Sequence, residues 1–261
     1  MSVPAPGPRP HRLGEMTTVE AAEAVTTAPV VLIPAGAFEQ HGPGMPLATD
    51  LIRAEHVCDL VAAELNGRAV IGPPLPVGVS PHHRAFAGTV SLTPATLAAL
   101  TREYVTGLHQ HGWRRILVVT GHAGNNATLG TVAQDLLATL PELEFAWTPL
   151  TALAADVVAG LGVSEVHGHG GEAETAQLLH LAPHLVRADL LTAGTTGLGQ
   201  LDPLARLSRH GGHPTLAVPY DRLSPNGVLG DPRRVTADDG EAVVSAIVSR
   251  VAAFVTEWLA T

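Results

Sequence analysis

Short aliphatic runs separated by longer amphipathic segments dominate the pattern of this chain. Runs rich in Val, Ile and Leu predict buried strands at residues 30–33, 68–71, 115–120 and 143–149. Apolar residues at helical spacing predict helices at about residues 51–65, 93–109, 126–140, 172–181 and 236–259. Strands that alternate with helices predict an α/β fold, with a mostly parallel central sheet covered by helices on both faces. In such sheets the ligand site lies beyond the carboxyl ends of the strands.

The composition predicts one compact domain with an aliphatic core. Residues 1–14 are rich in proline, and we expect a flexible N-terminus followed by a single domain over residues 15–261. Hydrophobic residues make up 46% of the chain but aromatic residues only 3%, so the core must consist of Val, Leu, Ile and Ala. Cys58 is the single cysteine, and its place on an apolar helical stripe predicts a small core residue rather than a nucleophile.

Charge and hydropathy exclude some partners. A formal charge of −9 with few basic clusters argues against nucleic acid. No window holds about 18 consecutive apolar residues, which argues against a membrane span. The N-terminus has prolines where a signal peptide needs an apolar run. We therefore expect a cytoplasmic protein that acts on a small molecule or a short peptide.

The stretch from Val30 to Asp50 carries the first candidate chemistry. After the predicted strand come Glu39, His41 and Asp50, which are side chains that Zn²⁺, Mn²⁺ or Fe²⁺ accept as ligands. Glu39 and His41 are two residues apart, so extended backbone would point both to the same side. Asp50 precedes a helical run, and an alternative role for it is the N-cap of that helix.

Two further polar clusters fall at predicted strand ends or helix starts. His122 follows the strand at 115–120, and His167, His169 and Glu174 lie around the start of the helix at 172–181. We expect the clusters to meet at one edge of the sheet and to hold one or two divalent metal ions. Metal-bound hydroxide would attack an amide carbonyl, and His169 would move a proton to the leaving nitrogen.

Five segments of the chain resemble the creatininase (creatinine amidohydrolase) family. The order and spacing agree over roughly residues 15–258. The matching segments are Pro34–Pro43 (PAGAFEQHGP), Pro46–Asp50 (PLATD), Phe86–Ser91 (FAGTVS), Gly121–Asn125 (GHAGN) and His169–Thr175 (HGGEAET).

The resemblance implies a three-layer α/β/α sandwich, a divalent metal site (Zn, Fe or Mn), amide hydrolysis and a homohexamer. It implies that the metal ligands are Glu39, His41, Asp50 and His122, with Asp50 bridging two ions. Glu174 matches the acid with which many members complete the site. Glu174 and His169 are therefore the catalytic candidates.

Other positions separate the branches of this family. Members that open creatinine carry a Glu where this chain has Gly124, and Gly44-Met45 replaces a common His-Leu pair. The run Ser224–Pro232 (SPNGVLGDP) resembles the mycofactocin-maturation branch, whose members remove a C-terminal Val-Tyr dipeptide from a modified precursor peptide.

We therefore expect a metal-dependent peptidase or amidohydrolase, with His83, Asn125 and Asn226 as substrate contacts. The enzymatic alternatives are a formamide deformylase and a creatinine-type cyclic amide hydrolase. The alternative from another class is a non-catalytic metal-binding subunit.

Overall fold

A computed structural model of the protein describes residues 11–209 and 214–261. Its centre is a four-stranded sheet with strand order β2-β1-β3-β4, and all three neighbouring pairs are parallel. The strands are β1 (Val30–Ala35), β2 (Ala69–Ile71), β3 (Arg115–Thr120) and β4 (Glu144–Pro149). The predicted parallel sheet is confirmed, and each predicted strand is present with small changes at its ends.

Helices connect the strands and continue after the last one. They are α1 (Thr18–Thr27), α2 (Thr49–Glu64), α3 (Pro94–Gln110), α4 (Asn126–Thr139), α5 (Leu150–Leu153), α6 (Ala155–Gly160), α7 (Glu172–Leu181), α8 (Pro203–Ser208), α9 (Tyr220–Leu223) and α10 (Ala237–Trp258). Among the described residues, no helix combines the length and apolarity needed to cross a bilayer.

The alternation of side chains along β1 divides the core into two layers. Val30 and Leu32 pack with residues of α2 and α10 on one face of the sheet. Val31 and Ile33 pack with residues of α3 and α4 on the other face. The three-layer α/β/α arrangement is therefore confirmed, and its two cores are mainly aliphatic.

Pro34 is accommodated near the end of β1, although proline usually interrupts a central strand. Its neighbour β2 pairs with β1 only as far as Ile71, which lies opposite Leu32. Pro34 therefore lies beyond the end of β2, where its missing N–H interrupts no pairing with that strand. The sheet opens at this edge, and the loops that follow the strands form the site described below.

The last helix, α10, fixes the position of α7. Its N-terminus carries a capping box in which Thr236 and Asp239 exchange hydrogen bonds with each other's backbone N–H groups. Gly240 allows close approach, because an added Cβ would lie 1.9 Å from the carbonyl oxygen of Ala176 in α7. This packing matters for function because α7 carries Glu174.

The predicted flexible N-terminus spans residues 1–14, and residues 1–10 lie outside the described part of the chain. Arg12 forms two hydrogen bonds with Asp59 of α2. The carbonyl of His11 accepts from the backbone N–H of Ile71 at the end of β2. The boundary of the flexible segment at residue 14 stays a prediction, although residues 11 and 12 make these contacts.

Candidate metal centre and active site

Three loops at the carboxyl edge of the sheet bring together side chains that the sequence singles out. The first loop follows β1, the second follows β3 and the third precedes α7. These loops and the first turns of α2 and α7 supply six buried side chains, namely Glu39, His41, Asp50, His122, His169 and Glu174.

Asp50 lies between two imidazoles. Its Oδ1 is 3.3 Å from His41 Nε2, and its Oδ2 is 3.3 Å from His122 Nδ1. Glu39 Oε1 lies 3.2 Å from the same nitrogen of His122. One carboxylate that faces a different imidazole with each oxygen has the arrangement that a bridging ligand between two ions requires.

Glu174 and His169 complete the cluster on the side of His41. Glu174 Oε2 is 3.6 Å from His41 Nε2 and 3.9 Å from His169 Nδ1. The neighbouring acid, Glu172, faces elsewhere and accepts hydrogen bonds from the backbone N–H groups of Ser164 and Asp231. Of the two acids in the first turn of α7, only Glu174 therefore reaches the cluster.

Two glycines let the strand ends approach the first turn of α2. An added Cβ at Gly121 would lie 2.2 Å from the carbonyl oxygen of Asp50, and one at Gly36 would lie 2.5 Å from the backbone nitrogen of Leu51. No side chain fits at either position without a shift of the backbone. The absence of both side chains allows His122 to reach Asp50.

The alternative that Asp50 caps a helix is wrong. Helix α2 begins at Thr49, Ala48 occupies the N-cap position, and no side chain caps the helix. Asp50 therefore lies inside the first turn, where the helix dipole favours a negative charge. Its carboxylate points into the cluster instead of back to the helix backbone.

Several buried polar atoms of this cluster make no hydrogen bond. They are both carboxylate oxygens of Glu39, Oδ2 of Asp50 and Nε2 of His83. Leaving a buried acceptor without a donor costs about 1–3 kcal/mol, more for a charged group. Unpaired carboxylate oxygens beside imidazole nitrogens are the donor set that Zn²⁺, Mn²⁺ and Fe²⁺ prefer, so the residues fit a divalent metal ion.

The charges of the cluster compensate one another. Burial opposes ionisation of Glu39, but His122 outweighs this effect and lowers the pKa of Glu39 to about 2. Burial opposes protonation of His41, but Asp50 outweighs it and raises the pKa of His41 to about 9. Protonated imidazoles thus balance the carboxylates, and a metal ion that binds there must displace protons.

Gln40 determines which nitrogen of His83 carries the proton. Its Oε1 accepts from the backbone N–H of Gly42 at 2.8 Å, and its Nε2 donates to the carbonyl of Gly227 at 3.1 Å. The side-chain amide is thereby oriented, and its remaining N–H faces His83 Nδ1 at 2.9 Å. His83 must accept there, so its proton is on Nε2, which lies 3.5 Å from Glu39 Oε1.

The backbone carbonyl of Gln40 orients His169 in a similar way. It accepts from His169 Nε2 at 2.6 Å, which leaves Nδ1 of the neutral ring unprotonated. The approach of Gln40 Nε2 to the same ring nitrogen, at 3.1 Å, is then a packing contact between two donors. Burial, followed by the charge of His41, lowers the pKa of His169, which favours this neutral form.

Asn125 and Asn226, two of the predicted substrate contacts, form hydrogen bonds within the protein. The side chain of Asn125 accepts from the backbone N–H of Val79 and donates to the carbonyl of Gly36. Asn226 accepts from the backbone N–H of Val228 and donates to the carbonyl of Ala193. Both contact sets stabilise loops, and a contact of either residue with substrate stays a prediction.

Gly44 and Met45, which stand where the family commonly has His-Leu, pack against residues of neighbouring segments. A Cβ at Gly44 would lie 2.5 Å from the side chain of Leu191, and the sulfur of Met45 accepts from the hydroxyl of Thr175. A larger residue at position 44 would therefore require Leu191 to move.

Sequence reasoning missed three residues of this site. Arg53 contacts Asp50 and Glu174, and its position three residues after Asp50 in a helix was an available signal. Gln40 orients two histidines, but one polar residue in a loop carries no distinctive pattern. Tyr220 places its ring 4.1 Å from that of His83, and it comes from a loop-rich region with no regular periodicity.

The family model for creatininase (creatinine amidohydrolase) matches residues 14–255. The chain belongs to the creatininase family. The mycofactocin precursor peptide peptidase of Mycolicibacterium smegmatis is 35% identical over 238 residues, which cover 88% of this chain and 85% of that protein. The protein of the same name from Mycobacterium ulcerans is 33% identical and covers 94% of this chain and 92% of its own length.

Solved structures show the same fold. A crystal structure of creatinine amidohydrolase has a TM-score of 0.82 and 24% identity, covering 96% of this chain and 98% of its own. A Zn-Zn form of a creatininase mutant and a Mn form of creatininase have TM-scores of 0.81 and 0.78, at 24% and 25% identity. The two forms cover 96% and 95% of this chain, respectively, and 98% of their own lengths. The predicted family and fold are confirmed, and the chain is a metal-dependent amidohydrolase.

Proposed function

We propose that this chain is a peptidase that releases a C-terminal Val-Tyr dipeptide from a modified mycofactocin precursor peptide. The similarity to two mycofactocin precursor peptide peptidases, which extends over most of each chain, supports the substrate. The position of Asp50 between His41 and His122 carries the chemistry, because it supports a centre for one or two metal ions at the carboxyl edge of the sheet.

The residues on the two sides of Asp50 would hold two metal ions. The first position consists of Asp50 Oδ2, Glu39 and His122, and the second position consists of Asp50 Oδ1, His41 and Glu174. A divalent ion held there would polarise an amide carbonyl and lower the pKa of a bound water. Zn, Mn and Fe all suit this mixture of carboxylate and imidazole ligands.

His169 is the residue placed to move a proton. Its Nδ1 faces Glu39 and Glu174, at 3.6 and 3.9 Å from their nearest oxygens. The hydrogen bond from its Nε2 to Gln40 holds the ring in place and keeps Nδ1 available. His169 would therefore receive a proton at Nδ1 and return it to the nitrogen of the departing dipeptide.

Tyr220, which is partly exposed, is the residue placed to contact the peptide. His83 is fully buried, and its Nε2–H lies 3.5 Å from Glu39 Oε1, so a contact of His83 with substrate stays a prediction. The Tyr220 ring lies 4.1 Å from the ring of His83 and 5.1 Å from that of His169. The partly exposed ring of Tyr220 offers an aromatic surface for the terminal Tyr of the substrate.

The environment of Gly124 argues against a creatinine-type pocket. A Cβ at this position would lie 2.2 Å from His122 Nε2 and 2.7 Å from the carbonyl oxygen of Val79. The glutamate that creatinine-opening members carry there would therefore displace His122 in this chain. This observation favours a substrate of a different shape.

The first experiment combines metal analysis with a peptide assay. The protein is reconstituted with Zn²⁺, Mn²⁺ or Fe²⁺, its metal content is measured, and it is incubated with a modified precursor ending in Val-Tyr. We expect one or two equivalents of metal and release of the dipeptide, detected by mass spectrometry. A matched peptide with its last two residues deleted serves as control. Metal binding without release would refute the peptidase proposal and direct the search to smaller amides, formamides first.

Substitution of the proposed ligands tests the site itself. Asp50→Ala and His122→Ala should lose bound metal and activity while the far-UV circular dichroism stays that of the wild type. His56→Ala is the matched control, because His56 lies on the exposed face of α2, the helix that carries Asp50. Full metal occupancy in either ligand variant would show that the assignment is wrong.

A further inference from the structure

Arg53 is a buried cation beneath the proposed metal centre. Its side chain is fully buried, and arginine retains its charge in proteins. A buried charge is strongly unfavourable unless it is paired and hydrogen-bonded. The residues that pair with Arg53 therefore indicate its role.

The guanidinium joins two of the proposed ligand carboxylates. Its Nη1 donates to Glu174 Oε1 at 2.7 Å and lies 3.4 Å from Asp50 Oδ1. Its Nε and Nη2 donate to Gln177 Oε1 at 3.2 and 3.1 Å, and Nη2 also donates to the Thr151 hydroxyl at 2.6 Å. The planar fork of donors is thereby held against α5 and α7, with one end aimed at the two acids.

The contacts of Arg53 are one-sided with respect to the two metal positions. It approaches Oδ1 of Asp50, the oxygen that faces His41, and it binds the Glu174 carboxylate that belongs to the same second position. Among the described residues Arg53 forms no ion pair with Glu39, and Oδ2 of Asp50 makes no hydrogen bond. Toward His122, Nη1 of Arg53 reaches the backbone carbonyl of Gly121 at a long 3.5 Å. Of the proposed ligands, the guanidinium therefore contacts Glu174 and the shared residue Asp50, the latter through the oxygen that faces the second position.

We infer that Arg53 is a positioning residue that holds Asp50 and Glu174 in the geometry of the second metal position. Asp50 is on α2 and Glu174 on α7, and without cations between them two buried carboxylates would repel each other. His41 also lies beside both acids, but a metal ion bound there would displace its proton, whereas Arg53 retains its charge. Arg53 fixes both acids before metal arrives and leaves Glu174 Oε2 directed at His41. The inference rests on the metal ligands assigned under the proposed function.

The test compares Arg53→Met with Glu174→Gln. Methionine fills much of the same volume without a charge or a donor, whereas Glu174→Gln removes a proposed ligand of the second position. Metal equivalents are measured by elemental analysis after equilibrium dialysis against graded Zn²⁺, with circular dichroism to verify folding. We expect Arg53→Met to lose the same equivalent as Glu174→Gln, with affinity at that position lowered roughly 10- to 100-fold, the usual effect of removing a residue that orients a ligand.

Two further variants make the comparison specific. Arg250→Met removes an arginine from an exposed ion pair with Asp156, and it should bind metal as the wild type does. Arg53→Lys keeps the charge but has no planar fork, so it should fold and show an intermediate loss of affinity. If Arg53→Met does not fold, the lysine variant decides, and wild-type affinity in that variant would overturn the inference.

The outcomes separate this inference from the proposed function. A folded Arg53→Met that keeps both equivalents while Glu174→Gln loses one would overturn the role of Arg53 alone. Loss of both equivalents in folded Arg53→Met would overturn its selectivity for the second position. Unchanged metal binding by Glu174→Gln would instead show that the proposed ligand set is wrong.

Discussion

Asp50 and Arg53 show how far the role of a single residue can be predicted from the sequence. The sequence places Asp50 before a helix and beside other ligand-type residues, so capping and metal binding are both reasonable predictions. The position of the helix start, at Thr49, rules out the cap, and metal binding by Asp50 stays a prediction. The i, i+3 spacing of Asp50 and Arg53 could have indicated their contact, but the other acceptors of Arg53, Glu174 and Gln177, are 121 and 124 residues away and could not be assigned from sequence.

Cys58 should behave as an inert core residue. It is fully buried, and this burial raises the pKa of its thiol well above the usual value. Because the thiolate is the reactive form, we expect no labelling by a thiol reagent in the native protein and complete labelling after unfolding in denaturant. Rapid labelling of the folded protein, followed by mass spectrometry, would contradict this burial.

Gly124 should be intolerant of even one methyl group. Gly124→Ala places a Cβ against His122, so we expect metal affinity to fall by roughly 10-fold or more, as for other changes that misorient a ligand. Gly130→Ala in α4 is the matched control, because its Cβ would lie at an ordinary 3.6 Å from Trp147. Dialysis against Zn²⁺ measures both variants, and equal affinities would show that His122 adjusts to the added methyl group.

At the scale of elements, local sequence patterns predicted regular structure well and loops poorly. The strand at 115–120 and the helix at 172–181 have the predicted bounds. The strand is a continuous aliphatic run, and the glycines at 170 and 171 mark the start of the helix. The region 183–235 had no such signal. Its conformation depends on distant partners, as in the isolated bridges that Leu229 makes with His169 and Thr195.

The contact between α7 and α10 gives an element-scale prediction. Gly→Ala in an exposed helix interior usually stabilises by about 0.5–1 kcal/mol, and Gly107→Ala in α3, where an added Cβ meets no atom within 4 Å, should do so. Gly240→Ala should instead destabilise by about 1–3 kcal/mol, because its Cβ collides with Ala176 and overpacks the interface. Urea denaturation measures both variants.

The same collision should also affect the site. Displacement of α7 would move Glu174 away from His41, so Gly240→Ala should bind less metal than Gly107→Ala. An unchanged free energy of unfolding for Gly240→Ala, together with wild-type metal content, would mean that α10 does not fix the position of α7.

At the scale of the whole molecule, the site exists only when the fold is complete. The proposed ligands come from the loop after β1, the loop after β3 and the first turns of α2 and α7, which lie together only in the folded chain. The sequence predicted this convergence, because the carboxyl ends of parallel strands share one edge. The homohexamer implied by the family resemblance stays a prediction.

Metal should therefore stabilise the whole protein. A ligand that binds only the folded state at 100 times its Kd adds about 2.7 kcal/mol to the free energy of unfolding. We expect Zn²⁺ or Mn²⁺ to raise the Tm of the wild type and to leave that of Asp50→Ala nearly unchanged. Equal shifts in both proteins, measured by calorimetry, would indicate that the ions bind elsewhere.

The burial of Arg53 among acids also constrains how this sequence can evolve. A mutation that removes Arg53 alone leaves two buried acids, Asp50 and Glu174, with only His41 to compensate them, and one that removes Glu174 alone takes away the closest carboxylate partner of a buried cation. Either single mutation would therefore give a protein with an incompletely compensated buried charge. Positions 53 and 174 should therefore change together among descendants, and a homologue without the arginine should carry a compensating change at the acid or at position 177.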